Sequence, residues 1–391
     1  MDELEADETT EEGICDIYKE HQLLMKAIDE HNCALVHDLV HGRGLSPNFN
    51  ADGHTPICRA AHHGYVDILD VLVEGGCDLF ISEVDIWRRQ ALHIAASKGH
   101  IPFCQRLMDY GADVNSRDDD QRTPLHWSAT YGNPAMTEFL ITKGASVNIS
   151  QSDGFTPLHA ATCLGHNKVC QILLQHGAEI NQTDRDGWSS FHTAVCYGHY
   201  NVVETLLNAG APLHRVTNDE ENAVHIAASS GKIEILKLLI SLGAELNELT
   251  LSGNTAFYLS VYYGEYETTK YLIKLGADMH LPRESKKTPF YIAAVKNNIQ
   301  VLKLLITAGY NLSIEDWILE KDFPPVLQKL PELCNLMYKK ASNAKSLKET
   351  CRLVIRKCLK FDDSFKHKLD ELLLPICLRS YLAYNDLDRI T

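Results

Sequence analysis

Two four-residue motifs, TPLH at Thr123–His126 and Thr156–His159, place imidazoles on a chain that also carries twelve cysteines, among them Cys163, Cys170 and Cys196. A thiol beside an imidazole is the starting point of nucleophilic catalysis, and Cys with His is also a zinc ligand set. Either chemistry needs fixed geometry. A nucleophile needs a base and a group to orient that base, and a structural metal usually shows closely paired ligands. The chain has no C-x-x-C, no H-E-x-x-H and no glycine-rich phosphate loop. The cysteines fall among apolar residues at helical spacing and read as reduced, buried small hydrophobes. A zinc site would require distant Cys and His to converge. The sequence therefore predicts no catalytic residue, no metal and no cofactor.

The histidines also recur with a period. TPLHWSATYG from Thr123 is echoed by TPLHAATCLG from Thr156, about 33 residues on. Upstream lie QALHIAASKG from Gln90 and TPICRAAHHG from Thr55; downstream lie SSFHTAVCYG from Ser189, NAVHIAASSG from Asn222, TAFYLSVYYG from Thr255 and TPFYIAAVKN from Thr288. A second landmark keeps the same phase: GADVN at Gly111, GASVN at Gly144, GAEIN at Gly177, GAELN at Gly243 and GADMH at Gly276. One histidine per repeat is expected to serve the internal hydrogen bonding of the repeat.

Each motif has the chemistry of a helix–turn–helix unit followed by a hairpin. Thr caps the first helix and Pro occupies its first turn, where a missing N–H costs little. The small pair, such as Ala95 and Ala96, allows close helix approach, and Gly99, Gly132 or Gly165 ends the helix in a left-handed conformation. Stripes such as VVETLL and EILKLLI pack on the next repeat. Eight units start near Asp52, Ile86, Asp120, Asp153, Asp186, Asp219, Ser252 and Ser285. A ninth, degenerate unit fits from His21, with Ala27-Ile28 as the small pair and Asn32 at the glycine position. The stretch CDLFISEVDIW makes one interval two residues longer, which predicts a distorted hairpin.

These motifs resemble ankyrin repeats over about three quarters of the chain. The resemblance implies an all-α solenoid: an ankyrin-repeat array with short β-hairpin loops, followed by a small helical module. The boundaries expected are 1–19 for an acidic disordered N-terminus, 20–316 for about nine repeats, 317–344 for a helical cap and 345–391 for the last module. It further implies a concave palm lined by first helices. Trp127, Tyr131, Phe155, Trp188, Tyr197, Tyr262 and Tyr263 are the expected partner-binding aromatics, although burial between repeats would also account for several of them. Asp118, Asp119 and Asp120, with Asp219, Glu220 and Glu221, suit a basic partner segment or, more simply, solvated hairpin tips.

A net charge of −15 argues against nucleic acid and favours protein partners. The opening MDELEADETTEE is too acidic and too poor in apolar residues to fold alone. Neither an apolar run of membrane-spanning length nor a secretory signal is visible, so the sequence predicts an intracellular, cytoplasmic protein and leaves the nucleus open as a second location.

The last module carries the second motif. In SLKETCRLVIRKCL, Ser346 to Leu359, a helical wheel puts Leu347, Cys351, Val354, Ile355, Cys358 and Leu359 on one side and Arg352 and Arg356 largely on the other. So short an amphipathic helix needs something to lie against. Its spacing resembles the elongin C-binding box of the SOCS box, and LLLPICLRSYLAYND from Leu372 resembles the second half of that box. The whole chain is similar to the ankyrin-repeat and SOCS-box family. That resemblance implies a non-catalytic substrate receptor of a ubiquitin ligase. Leu347, Cys351, Ile355 and Leu359 would bind elongin C, itself paired with elongin B, and Leu374, Pro375 and Ile376 would select cullin-5 with its RING subunit. The family pattern Leu-Pro-apolar-Pro reads LPIC here, with Cys377 replacing the second Pro. A second reading follows from that departure: an ankyrin scaffold or inhibitor that binds elongin BC but recruits cullin weakly.

Overall fold

The computed structural model describes residues 8–83, 87–280 and 288–342. They form two compact units divided after Ala211. In the first unit, helices pair along the chain. They are α1 (Glu8–Asp29) with α2 (Cys33–His37), which continues as a π turn to Gly42, then α3 (Pro56–His63) with α4 (Val66–Glu74) and α5 (Ala91–Lys98) with α6 (Ile101–Asp109). Next come α7 (Pro124–Thr130) with α8 (Pro134–Thr142), α9 (Pro157–Cys163) with α10 (Asn167–Gln175), and α11 (Ser190–Tyr197) with α12 (Tyr200–Asn208). The second unit continues with α13 (Ala223–Ser229) and α14 (Ile233–Ser241), α15 (Ala256–Tyr263) and α16 (Tyr266–Leu275), and α17 (Pro289–Val295) and α18 (Ile299–Thr307). After a 3-10 turn at Leu312–Ile314 it ends in α19 (Asp316–Leu319), α20 (Pro325–Gln328) and a helical stretch over 331–342.

The caps are those the motifs demand. Thr55, Thr156, Ser189, Asn222, Thr255 and Thr288 each accept a backbone N–H of the first turn through the side chain. Gly99, Gly132 and Gly165 follow their first helices at φ of 81°, 65° and 76°. Second helices bury an aliphatic stripe, Ile68, Leu69 and Leu72 in α4 and Val202, Val203 and Leu206 in α12. Cys104 and Cys170 occupy the matching stripe position in α6 and α10 and are buried there. Where the small pair offers Ser128 instead of Ala, the facing residue is Thr137, and the two hydroxyls lie 3.2 Å apart; Ser260 and Thr269 repeat the exchange at 2.9 Å. These hydroxyls also reach backbone carbonyls of their own helices, so each is satisfied in the core.

The hairpins are tighter than strands. Among the described residues they are closed by isolated bridges, such as Thr183 with Ser189 and Val216 with Asn222, and contain no strand. Within the first unit three fingers are each tied to the preceding one by a backbone bond: Asp119 N–H to the Trp87 carbonyl, Ser152 to Asp120, and Arg185 to Asp153. Asn48, Asn115 and Asn148 form a second ladder. The Nδ2 of each donates to the carbonyl of Gly76, Gly144 or Gly177, and the Oδ1 accepts from the N–H of Asp78, Ser146 or Glu179.

Three local expectations are revised. In the degenerate first repeat the left-handed residue is His31, at φ 53°, and not Asn32, which instead caps α2 by accepting the Leu35 N–H. Asn32 thus takes the second-helix cap position held by Tyr65 and His100 in the next repeats. Helix α1 begins at Glu8, so helical backbone reaches into the acidic segment expected to be disordered. In the longer finger the base of the hairpin keeps its ordinary pairing, the Glu83 N–H donating to the Arg89 carbonyl as Asp118 does to Arg122. The cullin- and elongin-binding positions expected at Leu347, Cys351, Ile355, Leu359, Leu374, Pro375 and Ile376 lie outside the described residues.

Candidate functional site

The motif histidines are spent on structure. His126 accepts the Thr123 N–H at Nδ1 (3.1 Å), which leaves the proton on Nε2 to donate to the Phe155 carbonyl of the next finger (3.3 Å). His159 does the same with the Thr156 N–H and the Trp188 carbonyl, and His225 with the Asn222 N–H and the Glu248 carbonyl. Burial pulls His126 and His159 from 6.5 down to about 4, because the loss of solvation outweighs the help that the Phe155 and Trp188 carbonyls give an imidazolium. Such groups are neutral at physiological pH, with both nitrogens engaged. The thiols are equally unsuited to chemistry: burial pushes Cys104 and Cys170 up to about 12. Cys33, Cys58, Cys77, Cys104, Cys163, Cys170, Cys196 and Cys334 are free, and among the described residues no group of three or more His, Cys, Asp or Glu is placed to hold a metal.

A second set of histidines was not anticipated from the motifs. His100, His166 and His199 precede the second helices, and their Nε2 atoms lie 3.1, 3.0 and 3.0 Å from the carbonyls of His62, Thr130 and Cys163 in the preceding repeat. Their rings fill the space beside Gly64, Gly132 and Gly165, where an added Cβ would approach ring atoms to 2.6, 2.4 and 2.5 Å. The recurring G-H pair in the sequence, at Gly99-His100, Gly165-His166 and Gly198-His199, was the available signal.

The candidate site is a surface. Trp127, expected there as an anchor, is only 3% exposed. Its indole N–H donates to the Asp118 carboxylate (2.9 Å), and the guanidinium carbons of Arg89 and Arg122 sit 4.9 and 5.3 Å from its ring. Arg89 also lies 5.2 Å from Trp87 and pairs with the buried Glu83 (3.5 Å), which holds His54 Nδ1 at 2.8 Å. Trp127 is therefore the centre of a buried polar cluster under the longer finger. Asp118 belongs to the same cluster and is not a solvated tip; burial raises its carboxyl despite the two N–H groups donating to it.

The remaining aromatics differ in availability. Phe155 and Trp188 are half-buried at finger bases, leaning on His159 and His192. Tyr131 is 55% and Tyr197 56% exposed, both at first-helix ends in the first unit. In the second unit Tyr262 and Tyr263 are exposed, with the Lys296 ammonium 3.5 Å from the Tyr262 ring centre and Tyr258 stacked beneath. Leu164, which the aromatic criterion passed over, is also exposed in the first unit.

Comparison with known families places these features. The ankyrin-repeat model matches in five overlapping segments, 24–118, 92–184, 125–217, 191–283 and 224–316, and the SOCS-box model matches 343–383. The chain belongs to the ankyrin-repeat and SOCS-box family. Relatives among curated proteins align over short stretches. Ankyrin repeat and KH domain-containing protein 1 of Homo sapiens is 42% identical over 65 residues, 17% of this chain and 3% of that protein. An L-asparaginase of Dirofilaria immitis is 42% identical over 62 residues, 16% of this chain and 10% of the enzyme. Alpha-latroinsectotoxin-Lt1a of Latrodectus tredecimguttatus is 33% identical over 110 residues, 27% of this chain and 7% of the toxin. The chain spans a tenth or less of each of these relatives, whose names describe unlike activities. Among the described residues no helix is long and apolar enough to cross a membrane.

Proposed function

We propose that this chain is the substrate-recognition subunit of a cullin-RING ubiquitin ligase, binding elongin C through its SOCS box and a target protein through its ankyrin array. The observation that carries this reading is the SOCS-box match at 343–383 on the same chain as an ankyrin array over 24–316. In this reading Leu347, Cys351, Ile355 and Leu359 insert into elongin C, paired with elongin B, and Leu374, Pro375 and Ile376 select cullin-5 with its RING subunit. The receptor does no chemistry. It raises the effective concentration of target lysines near an E2-bound ubiquitin. Neutral, fully bonded histidines and buried thiols in the array support that division of labour. The site of action proposed is the cytoplasm.

Co-expression with elongin B and elongin C, followed by size-exclusion chromatography with and without cullin-5, tests the reading. The expected result is a 1:1:1 complex that binds cullin and disappears in the Leu347→Ala/Cys351→Phe variant. Soluble protein without elongin association overturns it. A second reading rests on Cys377 standing where a proline would stiffen the turn: elongin association with weak cullin binding, restored by Cys377→Pro, would identify a scaffold that does not recruit a ligase.

A further inference from the structure

We infer that the first unit carries a docking strip for an acidic, apolar peptide segment of a partner protein; this specifies the target class and rests on reading the array as the target-binding arm. The strip is one column of the repeat, the residue just before the left-handed glycine that closes each first helix. Along α3, α5, α7, α9 and α11 that column reads His63, Lys98, Tyr131, Leu164 and Tyr197, preceding Gly64, Gly99, Gly132, Gly165 and Gly198. Packing does not require size here, yet three successive positions carry large apolar side chains that are 55%, 51% and 56% exposed. A contiguous run of exposed apolar groups on otherwise polar repeats marks an interaction surface.

The strip is also rigid. Tyr131 stacks on the buried Trp127 ring at 6.3 Å, and the Tyr197 ring stacks with the His199 imidazole, also at 6.3 Å. The helix ends that present the column are held by the His166 and His199 rings against Gly132 and Gly165. Anchors that need no ordering on binding lose less entropy. Neighbouring first helices pack roughly 8–10 Å apart, so the three anchors match a peptide in polyproline II conformation, about 9 Å per turn, with an apolar side chain at every third residue.

Charge selects the occupant's other end. Beyond Tyr131 the column continues with Lys98, which pairs with no carboxylate among the described residues, and then with His63, beside His62, Arg59 and His100. His62 is held below its ordinary value by burial and then by these neighbouring cations. Asp29 answers Arg59 and His63 (2.7 and 3.1 Å) but does not reach Lys98. Asp118, in the repeat that carries Tyr131, is buried against Trp127. A peptide with carboxylates at one end therefore gains at Lys98 what a basic one loses.

The test is selection of a random-peptide phage library on the full chain, both alone and co-expressed with elongin B and C. The expected pool has Asp and Glu clustered at one end and Leu, Phe or Tyr elsewhere. Its best peptide should bind the Tyr131→Ser/Leu164→Ser/Tyr197→Ser variant at least about tenfold more weakly. Lys98→Glu should weaken it about three- to tenfold, mainly by slowing association. A neutral or basic pool, no enrichment, or indifference to both variants overturns the strip. The substituted residues are exposed, so the urea midpoint of the triple variant should match the parent; if it falls, Lys98→Glu decides. Elongin association of each variant is followed in parallel. Its loss from the parent protein with peptide selection intact would sink the ligase reading and leave the strip standing.

Discussion

At the scale of single residues, the buried histidines set the acid limit of the array. His126 and His159 titrate near 6.5 when unfolded and near 4 when folded, so between those values the unfolded chain holds more protons. Stability must then fall as pH drops from about 6.5 to about 4, by on the order of 1–3 kcal/mol for each histidine fully protonated. Urea midpoints measured across that window should decline steeply, and His126→Gln should flatten the slope while lowering the plateau at neutral pH. A midpoint independent of pH would mean that the imidazoles take up protons as readily in the folded chain as in the unfolded one. The histidine pattern itself was legible in the sequence, because one His per 33 residues cannot be a unique site. The fate of Trp127 was not. Its burial depends on Arg89, a residue of the preceding repeat, and on a carboxylate nine positions away, and neither pairing leaves a periodic trace.

Elements repeat this contrast between what is local and what is shared. Caps and left-handed glycines were readable because each is set by the few residues around it, and the single shift from Asn32 to His31 shows the limit of reading a degenerate repeat by alignment alone. The second histidine ladder joins two helices of different repeats, and its steric side is measurable. Gly144 and Gly165 both have positive φ, but a Cβ at Gly144 meets nothing within 4 Å, whereas at Gly165 it meets the His199 ring. Gly165→Ala should cost at least about 1 kcal/mol more than Gly144→Ala in urea denaturation. Equal costs would show that the ring yields freely and that the contact does not hold the turn.

For the whole molecule, the family assignment came from two motifs in order, and both were present in the sequence. The surface that selects a partner was only half visible, since exposure of Leu164 and burial of Trp127 are properties of stacked repeats. Stacking also predicts how damage spreads. Leu206→Ala in α12 empties a fully buried position and should cost about 2–4 kcal/mol. Because each repeat touches only its neighbours, hydrogen exchange should quicken in α9 through α12 and leave α3 and α4 protected. Uniform loss of protection would mean that the first unit opens as a single block.

The ladder of motif histidines runs toward the C-terminus, opposite to that of His100, His166 and His199. His126 donates to the carbonyl of Phe155, 29 residues later, and His159 to that of Trp188 at the same separation. On the ribosome each repeat therefore emerges before the acceptor that completes it. Its imidazole N–H stays without a partner until the next finger is made, and sequestering that donor unpaired is costly. Folding of the nascent array must trail synthesis by one repeat, so the last repeat translated is always the one exposed to chaperones and proteases. A stall or premature stop inside the array then leaves one unfinished edge to recognise, however many repeats are already sealed behind it.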